Sequence, residues 1–336
     1  VAEPYDRSEF AGQRIACVVP CYNEEAAVGK VVGDLRASLP EAEIYVYDNN
    51  STDATAEVAR EAGAIVRVER RKGKGNVIRR AFADIDADAI LLIDGDDTYD
   101  AGRARDMVNL LFEGPYDHVL GVRREVTAGA YRPGHAAGNK FLTGAVRLLF
   151  GNDVSDMLSG YRVFSRRYVK SFPALSREFE TETEMTVHAL NLRLPTAELE
   201  TDFKDRAEGS ESKLRTYRDG LRILRVIFNL ARRERPGLVH GAIAAILAIV
   251  GLVLGIPVIV DFFHTHTVPR FPTAVLAAAI MIIAVLVLLV GYILDSVMHM
   301  RQEQSRLVYL TYPAPLRAAR ASSAPAPRHP SPARAT

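Results

Sequence analysis

The stretch A-D-A-I-L-L-I-D-G-D-D-T, residues 87–98, decides how this chain folds. Ala89 to Ile93 form a short unbroken apolar run, the length of a strand buried on both faces. The run stops on Asp94-Gly95-Asp96-Asp97. Toward the N-terminus the same pattern recurs. Arg14 to Pro20 read as a first strand, after which Asn23, Glu24 and Glu25 open a helix to about Leu39, their acidic turn suiting the helix dipole. Ile44 to Tyr47 read as a second strand ending at Asp48, with Ser51-Thr52-Asp53 capping a helix over Ala54 to Ala62. Ala64 to Val68 read as a third strand. A basic glycine loop, Arg70-Arg71-Lys72-Gly73-Lys74-Gly75, then leads into a helix over Asn76 to Ala83. Four alternations with short connections predict an α/β fold, a Rossmann-like, mostly parallel sheet covered by helices. Ligands of such sheets bind at the carboxyl ends of the strands. Here those ends carry Asn23-Glu24, Asp48-Asn49, the Lys-Gly loop and the Asp cluster, four polar groups on one edge.

Toward the C-terminus the composition changes. Gly237 to Val260 and Pro272 to Leu294 contain no Asp, Glu, Lys or Arg, and each is long enough to cross a hydrocarbon core of about 30 Å. Before them, residues 213–235 place Leu221, Leu224, Ile227 and Phe228 at helical spacing with Arg222, Arg225, Arg232 and Arg233 between. This predicts a basic amphipathic helix on anionic headgroups, or else an ordinary helix packed on the sheet. The expected organisation is a cytoplasmic catalytic domain over 1–212, an interface helix over 213–235, two transmembrane helices over 236–295 and a largely disordered tail over 296–336. Arginines flank both outer ends of the two spans, so the positive-inside rule predicts both termini in the cytoplasm. The polar start of the chain lacks the apolar core of a signal peptide, in keeping with that placement. A net charge of +1 excludes a global basic field for nucleic acid. Two cysteines, Cys17 and Cys21, are too few for a disulfide scaffold and read as reduced packing residues.

Paired carboxylates directly after a buried strand suit a hard divalent cation, Mg²⁺ or Mn²⁺, bridging a nucleotide diphosphate. Asp94 and Asp96 are the metal candidates. Lys72 and Lys74 offer cations, and their loop backbone N–H groups, to phosphate. The loop lacks the G-x-x-x-x-G-K-[ST] spacing, which disfavours a P-loop ATPase. Asp48 is placed to accept hydrogen bonds from a base or ribose.

Taken together, V-V-P-C-Y-N-E-E (18–25), D-N-N-S-T-D (48–53), K-G-K-G-N (72–76) and D-G-D-D (94–97) resemble glycosyltransferase family 2 with the GT-A fold. L-G-V-R-R (120–124), D-M-L-S-G-Y-R-V-F (156–164) and D-R-A-E-G-S-E-S-K-L (205–214) extend the resemblance to dolichyl- and polyprenyl-phosphate sugar synthases. The resemblance implies an inverting, metal-dependent transfer from a UDP- or GDP-sugar to a polyprenyl phosphate at the cytoplasmic membrane. It places Pro20, Tyr22, Glu24 and Asp48 in the nucleotide pocket and Asp94 and Asp96 on diphosphate and metal. Arg123, Arg206 and Lys213 fall on the acceptor phosphate. His135 and Asn139 occupy positions where the family often carries Arg and Ser, and Thr98 stands for a frequent Gln. Asp96, Arg123 and Arg206 are the catalytic candidates. Asp156 joins them as an accessory catalytic or sugar-binding group, with capping of the turn before Ser159-Gly160 as its other reading. Arg162 reads equally as a structural ion-pair partner. Glu182 and Glu184, on a helix over Glu180 to Leu190, read as sugar or arginine contacts, with a solvated face expected for at least one.

Three other functions compete. A processive polysaccharide synthase would carry Q-x-x-R-W, and this chain has no tryptophan. Transfer to a neutral lipid such as a diacylglycerol would need a general base. A non-catalytic membrane scaffold would have no use for the Asp cluster. Homo-oligomerisation through the spans is also compatible with their small residues.

Overall fold

In the computed structural model, the residues described are 10, 12–125, 144, 155–175, 180–204, 228, 229, 232 and 234–316. Strands β1 (Ile15–Cys21), β2 (Glu43–Asp48), β3 (Ile65–Val68), β4 (Ala89–Leu92), β5 (His118–Glu125), β6 (Arg162–Ser165) and β7 (Thr196–Phe203) form one sheet in the order β3-β2-β1-β4-β6-β5-β7. Every strand runs in one direction except β6, which lies antiparallel between β4 and β5. The sheet is therefore mostly parallel, as the alternation predicts. Its last three strands were not legible as strands in the sequence.

Period-two alternation builds a core on each face. Cys17, Val19 and Cys21 of β1, Ile44 and Val46 of β2, and Ala89 and Leu91 of β4 point to one side. There they meet α1 (Val28–Ser38), through Val28, Val31, Val32 and Leu35 at helical spacing, and α4 (Ala104–Glu113). Ala16, Val18, Tyr45, Tyr47, Ile90 and Leu92 point to the other side, against α3 (Lys74–Asp84), α5 (Arg166–Ser171) and α6 (Glu180–Asn191). Burial on both faces explains the unbroken apolar runs, each fully buried side chain contributing about 1.5–3 kcal/mol.

Several boundaries shift from the sequence reading. The helix after β1 starts at Val28 rather than Asn23, because Asn23 sits at φ 56° and turns the chain first. Helix α2 (Thr55–Glu61) has Ala54 at its N-cap and no side-chain cap there; of the expected Ser51-Thr52-Asp53 cap, Asp53 reaches the helix from one residue before the N-cap, its carboxylate accepting from the Thr55 N–H at 3.1 Å. Helix α3 begins at Lys74, two residues early.

Two long helices follow the sheet, α7 (Pro236–Thr265) and α8 (Phe271–Leu310), both long and apolar enough to cross a membrane. Ala244, Gly251 and Val258 of α7 and Ala277, Ala284 and Gly291 of α8 are buried between them at seven-residue spacing. A Cβ on Gly251 would strike Met281, and one on Gly291 would strike His240, so small residues set this close crossing. Helix α8 does not stop at Leu294, where its apolar run ends. No Gly or Pro interrupts the next 16 residues, and the helix continues to Leu310, where Tyr309 enters the second core. Of the expected amphipathic helix over 213–235, almost all lies outside the described residues.

Two buried histidines give the domain an acid sensitivity. Burial pushes the His188 imidazole down to about 3, helped by Arg301. Burial and then Arg162 hold His118 well below its usual value. Both stay neutral in the folded state and take up protons on unfolding below about pH 6.5, so the unfolded chain binds more protons there. The stability they contribute is complete above about pH 6.5 and is lost as pH falls toward 3. Unfolding free energies from urea titrations at pH 7.5 and pH 5 should differ by about 2 kcal/mol on account of His188, with His118 adding in the same direction, and His188→Phe should flatten the dependence. Carboxylates such as Asp156 act at lower pH.

Candidate active site

The carboxyl edge collects the polar groups. The loops after β1 and β2 are laced together. Asn23 N–H donates to Ser51 Oγ (3.0 Å), and Asn23 Oδ1 accepts from Thr52 N–H (2.8 Å). Glu24 N–H donates to Thr55 Oγ1 (2.8 Å), and Glu25 exchanges two bonds with Asp53 and Ala54. Asp48, buried at the end of β2, accepts from Ser51 N–H at 3.2 Å. Asn49 then staples the basic loop. Its amide donates to Glu69 O and Arg71 O and accepts from Gly73 N–H. Asn23, Asn50 and Asp97 all adopt φ between 55° and 65°, so non-glycine left-handed backbone gathers on this edge.

Tyr22 is 38% exposed, with Lys72 Nζ 5.9 Å from its ring centroid. Beside it, Arg71, Lys72, Asn76 and Arg79 line a cavity of about 470 Å³. Pro20 sits in β1 opposite Tyr47.

At the end of β4, Asp94 meets Lys74 Nζ at 2.5 Å, and the same ammonium meets Glu182 Oε1 at 2.6 Å. Burial opposes the Lys74 charge, but Asp94 and Glu182 outweigh it and push the pKa well up. Lys74 is thus a buried cation held by carboxylates from β4 and α6. Glu182 is buried rather than on a solvated face, and its Oε2 has no hydrogen-bond partner. Glu184 accepts from Leu175 N–H at 2.9 Å. Asp96, 7% exposed, accepts at one oxygen from Thr98 N–H (3.2 Å) and Thr98 Oγ1 (2.6 Å). Thr98 therefore sets the Asp96 rotamer. Asp97 turns away to Lys30 at 2.8 Å. Gly95 leaves room for the Cys21 thiol, which burial and then the nearby carboxylates push well up in pKa, so Cys21 is an inert packing group.

Because β6 is antiparallel, it presents its N-terminal end, Asp156 to Tyr161, to the same edge. Arg123 at the end of β5 grips Asp156 with two 2.7 Å bonds, Nε to Oδ2 and Nη2 to Oδ1. Burial would raise the Asp156 pKa, but Arg123 outweighs it and holds the carboxyl below its usual value. Asp156 also accepts from Leu158 N–H at 3.3 Å, so it caps the turn as well. Gly160 N–H donates to the Tyr99 hydroxyl at 2.8 Å, and a Cβ on Gly160 would collide with the Asp94 carboxylate and crowd Lys74. Arg162 is fully buried. It donates to Met157 O (2.7 Å), Ser159 O (2.8 Å) and Thr186 Oγ1 (2.9 Å), so it holds the 157–160 turn through carbonyls rather than through an ion pair.

The model of the family described as glycosyl transferase family 2 matches residues 16–172. Glycosyltransferase AglJ of Haloferax volcanii is 32% identical over 296 residues, covering 88% of this chain and 97% of that protein. The chain belongs to glycosyltransferase family 2. A dolichyl-phosphate hexose transferase of the same organism is 28% identical over 229 residues, 68% of this chain and 98% of that protein. The crystal structure of glucosyl-3-phosphoglycerate synthase from Mycobacterium tuberculosis with Mn²⁺, UDP and glucosyl-3-phosphoglycerate aligns with a TM-score of 0.55. At 23% identity, over 67% of this chain and 81% of that one, it shares the GT-A-like fold.

In this family 2 glycosyltransferase the fold gathers Tyr22, Glu24, Asp48, Lys72, Lys74, Asp94, Asp96, Arg123 and Asp156 on one edge. His135, Asn139, Arg206 and Lys213 lie outside the described residues. The sequence reading missed Tyr99, which braces Gly160, and the Asn49 staple. A buried tyrosine three residues beyond Asp96 carries no local signal, whereas the D-N-N-S turn did mark Asn49. Among the described residues no cluster of three or more His, Cys, Asp or Glu side chains is arranged to hold a metal. Two hard carboxylates on one turn still fit Mg²⁺ or Mn²⁺, because such ions take one or two carboxylates and complete their shell with substrate phosphate and water.

Proposed function

We propose that the enzyme transfers a hexose from a nucleotide-sugar, UDP-linked in preference to GDP-linked, to a polyprenyl phosphate, with inversion, at the cytoplasmic face of a membrane. The observation that carries this reading is the state of Asp156. Locked on Arg123 with a lowered pKa, it is a weak proton acceptor. A hydroxyl acceptor needs such a base, whereas a phosphate arrives already anionic and needs positioning and cations. His118 and His188 are buried in the core and supply no base at this edge. The likeness to the dolichyl-phosphate hexose transferase supports a lipid phosphate, and two spanning helices would bring the site to the membrane.

In this reading Tyr22 and Asp48 receive the base and ribose, and Lys72 and the first turn of α3, at Lys74 and Gly75, face the phosphates, with the Gly73 N–H held by Asn49. Asp94 and Asp96 would hold the Mg²⁺ or Mn²⁺, which neutralises charge on the departing diphosphate. Lys74 and Glu182 wall the sugar. Arg123 and Arg206, with His135, Asn139 and Lys213, serve the acceptor phosphate. An acceptor oxygen attacks the anomeric carbon, the bond from that carbon to the diphosphate breaks, and its electron pair leaves with the nucleotide.

The test offers purified protein a panel of radiolabelled UDP- and GDP-sugars with a short polyprenyl phosphate and Mn²⁺ or Mg²⁺. Label in the polyprenyl phosphate with one donor, lost in Arg206→Ala, is the expected result. Label on diacylglycerol instead, abolished in Asp156→Asn, would overturn the acceptor. No transfer to any lipid would favour the scaffold.

A further inference from the structure

The last 16 residues of α8, Asp295 to Leu310, lie beyond the apolar run and extend about 24 Å. They do not stand free. Arg301, Gln302, Ser305 and Tyr309 are the residues of the final ten that turn away from solvent, and their spacing is one helical stripe laid on the catalytic domain. At its end Tyr309 is 5% exposed and packs into the second core. Its hydroxyl donates to Asp117 Oδ2 at 2.8 Å. Asp117 is fully buried and also holds Arg167, by bonds of 2.5 and 2.8 Å, and the Ser165 hydroxyl at 2.7 Å. The guanidiniums of Arg167 and Arg306 lie 4.5 and 4.8 Å from the Tyr309 ring centroid. A solvated helix end has no reason to build a desolvated carboxylate with three different donors.

This lock has a definite place. Asp117 precedes β5 and Ser165 ends the antiparallel β6, so both mark the edge where the other strands begin, opposite the candidate active site. A second fastening lies at the start of the membrane hairpin, where Asn191 of α6 donates to Glu234 at 2.8 Å. One fastening would let the catalytic domain swivel on the hairpin. Two, joined by the packed pair of α7 and α8, fix both its height and its facing.

We infer that Tyr309 is a positioning residue, which keys α8 into Asp117 as a strut and holds the active site at a set distance and orientation from the membrane. The inference rests on the reading of a membrane-embedded acceptor. It predicts that breaking the lock spares the chemistry and harms delivery of the lipid. In vesicles containing long-chain polyprenyl phosphate, Tyr309→Ala should lower transfer about tenfold or more, as should insertion of two alanines after Glu303, because small misplacements are costly. Tyr309→Phe, which keeps the ring, should lose about threefold, roughly half as much in free energy. With a short, water-dispersed isoprenyl phosphate in detergent, all three should match the wild type within about twofold. A parallel loss on both acceptors, or no loss in vesicles, overturns the role. Should the wild type transfer to neither acceptor, the acceptor reading falls and hydrogen exchange decides the strut. Amides of 301–310 protected like the core strands, and released in Tyr309→Ala, support it, while fast exchange there in the wild type rejects it.

Discussion

Asparagine at Asp94 or Asp96 is expected to cut sugar transfer by about 10³-fold, the rate equivalent of about 4 kcal/mol of lost charge stabilisation. Asparagine keeps the shape of the turn and removes one negative charge. At Asp96 the amide oxygen can still accept from Thr98, so the local turn survives. At Asp94 the change also leaves Lys74 with Glu182 as its remaining carboxylate. The deficit should therefore appear in kcat/KM and in a raised requirement for Mn²⁺, with thermal unfolding little changed for Asp96→Asn. Full activity in either variant, at limiting metal, would remove these carboxylates from the mechanism.

Leucine at Arg162 should destabilise the domain by about 3–5 kcal/mol, because two carbonyls and a threonine hydroxyl lose their donor inside the protein. Burial already lowers the Arg162 pKa, so the charge itself is held at a cost that leucine relieves. The orphaned acceptors outweigh that relief. Lysine should recover less than half of the loss, since one ammonium cannot span acceptors placed for a planar fork. A urea denaturation series on wild type, Arg162→Leu and Arg162→Lys measures this. A leucine variant as stable as the wild type would mean that water replaces the guanidinium.

The sequence disclosed one half of the sheet far better than the other. Residues 14–97 were legible because each strand is an apolar run ending on a polar group, and both signals are local. Beyond residue 117 the signals are not local. The 118–124 segment alternates too weakly to announce β5, and nothing in R-V-F-S reveals that β6 runs against its neighbours. The pairs that shape the site span the chain: Lys74 with Glu182, and Arg123 with Asp156 across 33 residues. Periodicity places a glutamate on a helix, but only the packing of α6 on α3 brings it to a lysine. The strut escaped for a different reason. A hydropathy window ends where charges begin, whereas a helix ends where its backbone bonding ends, so α8 outran its apolar stretch.

The lacing of the β1 and β2 loops bears on the thermodynamics of donor binding. Five backbone N–H groups of these loops, those of Asn23, Glu24, Glu25, Thr52 and Ala54, are already committed to side chains across the gap. The two loops consequently behave as one rigid body, and the conformational entropy of setting the wall that we propose faces the nucleotide is met when the chain folds. A nucleotide-sugar then meets a wall that needs little further ordering, and more of its contact energy remains as affinity.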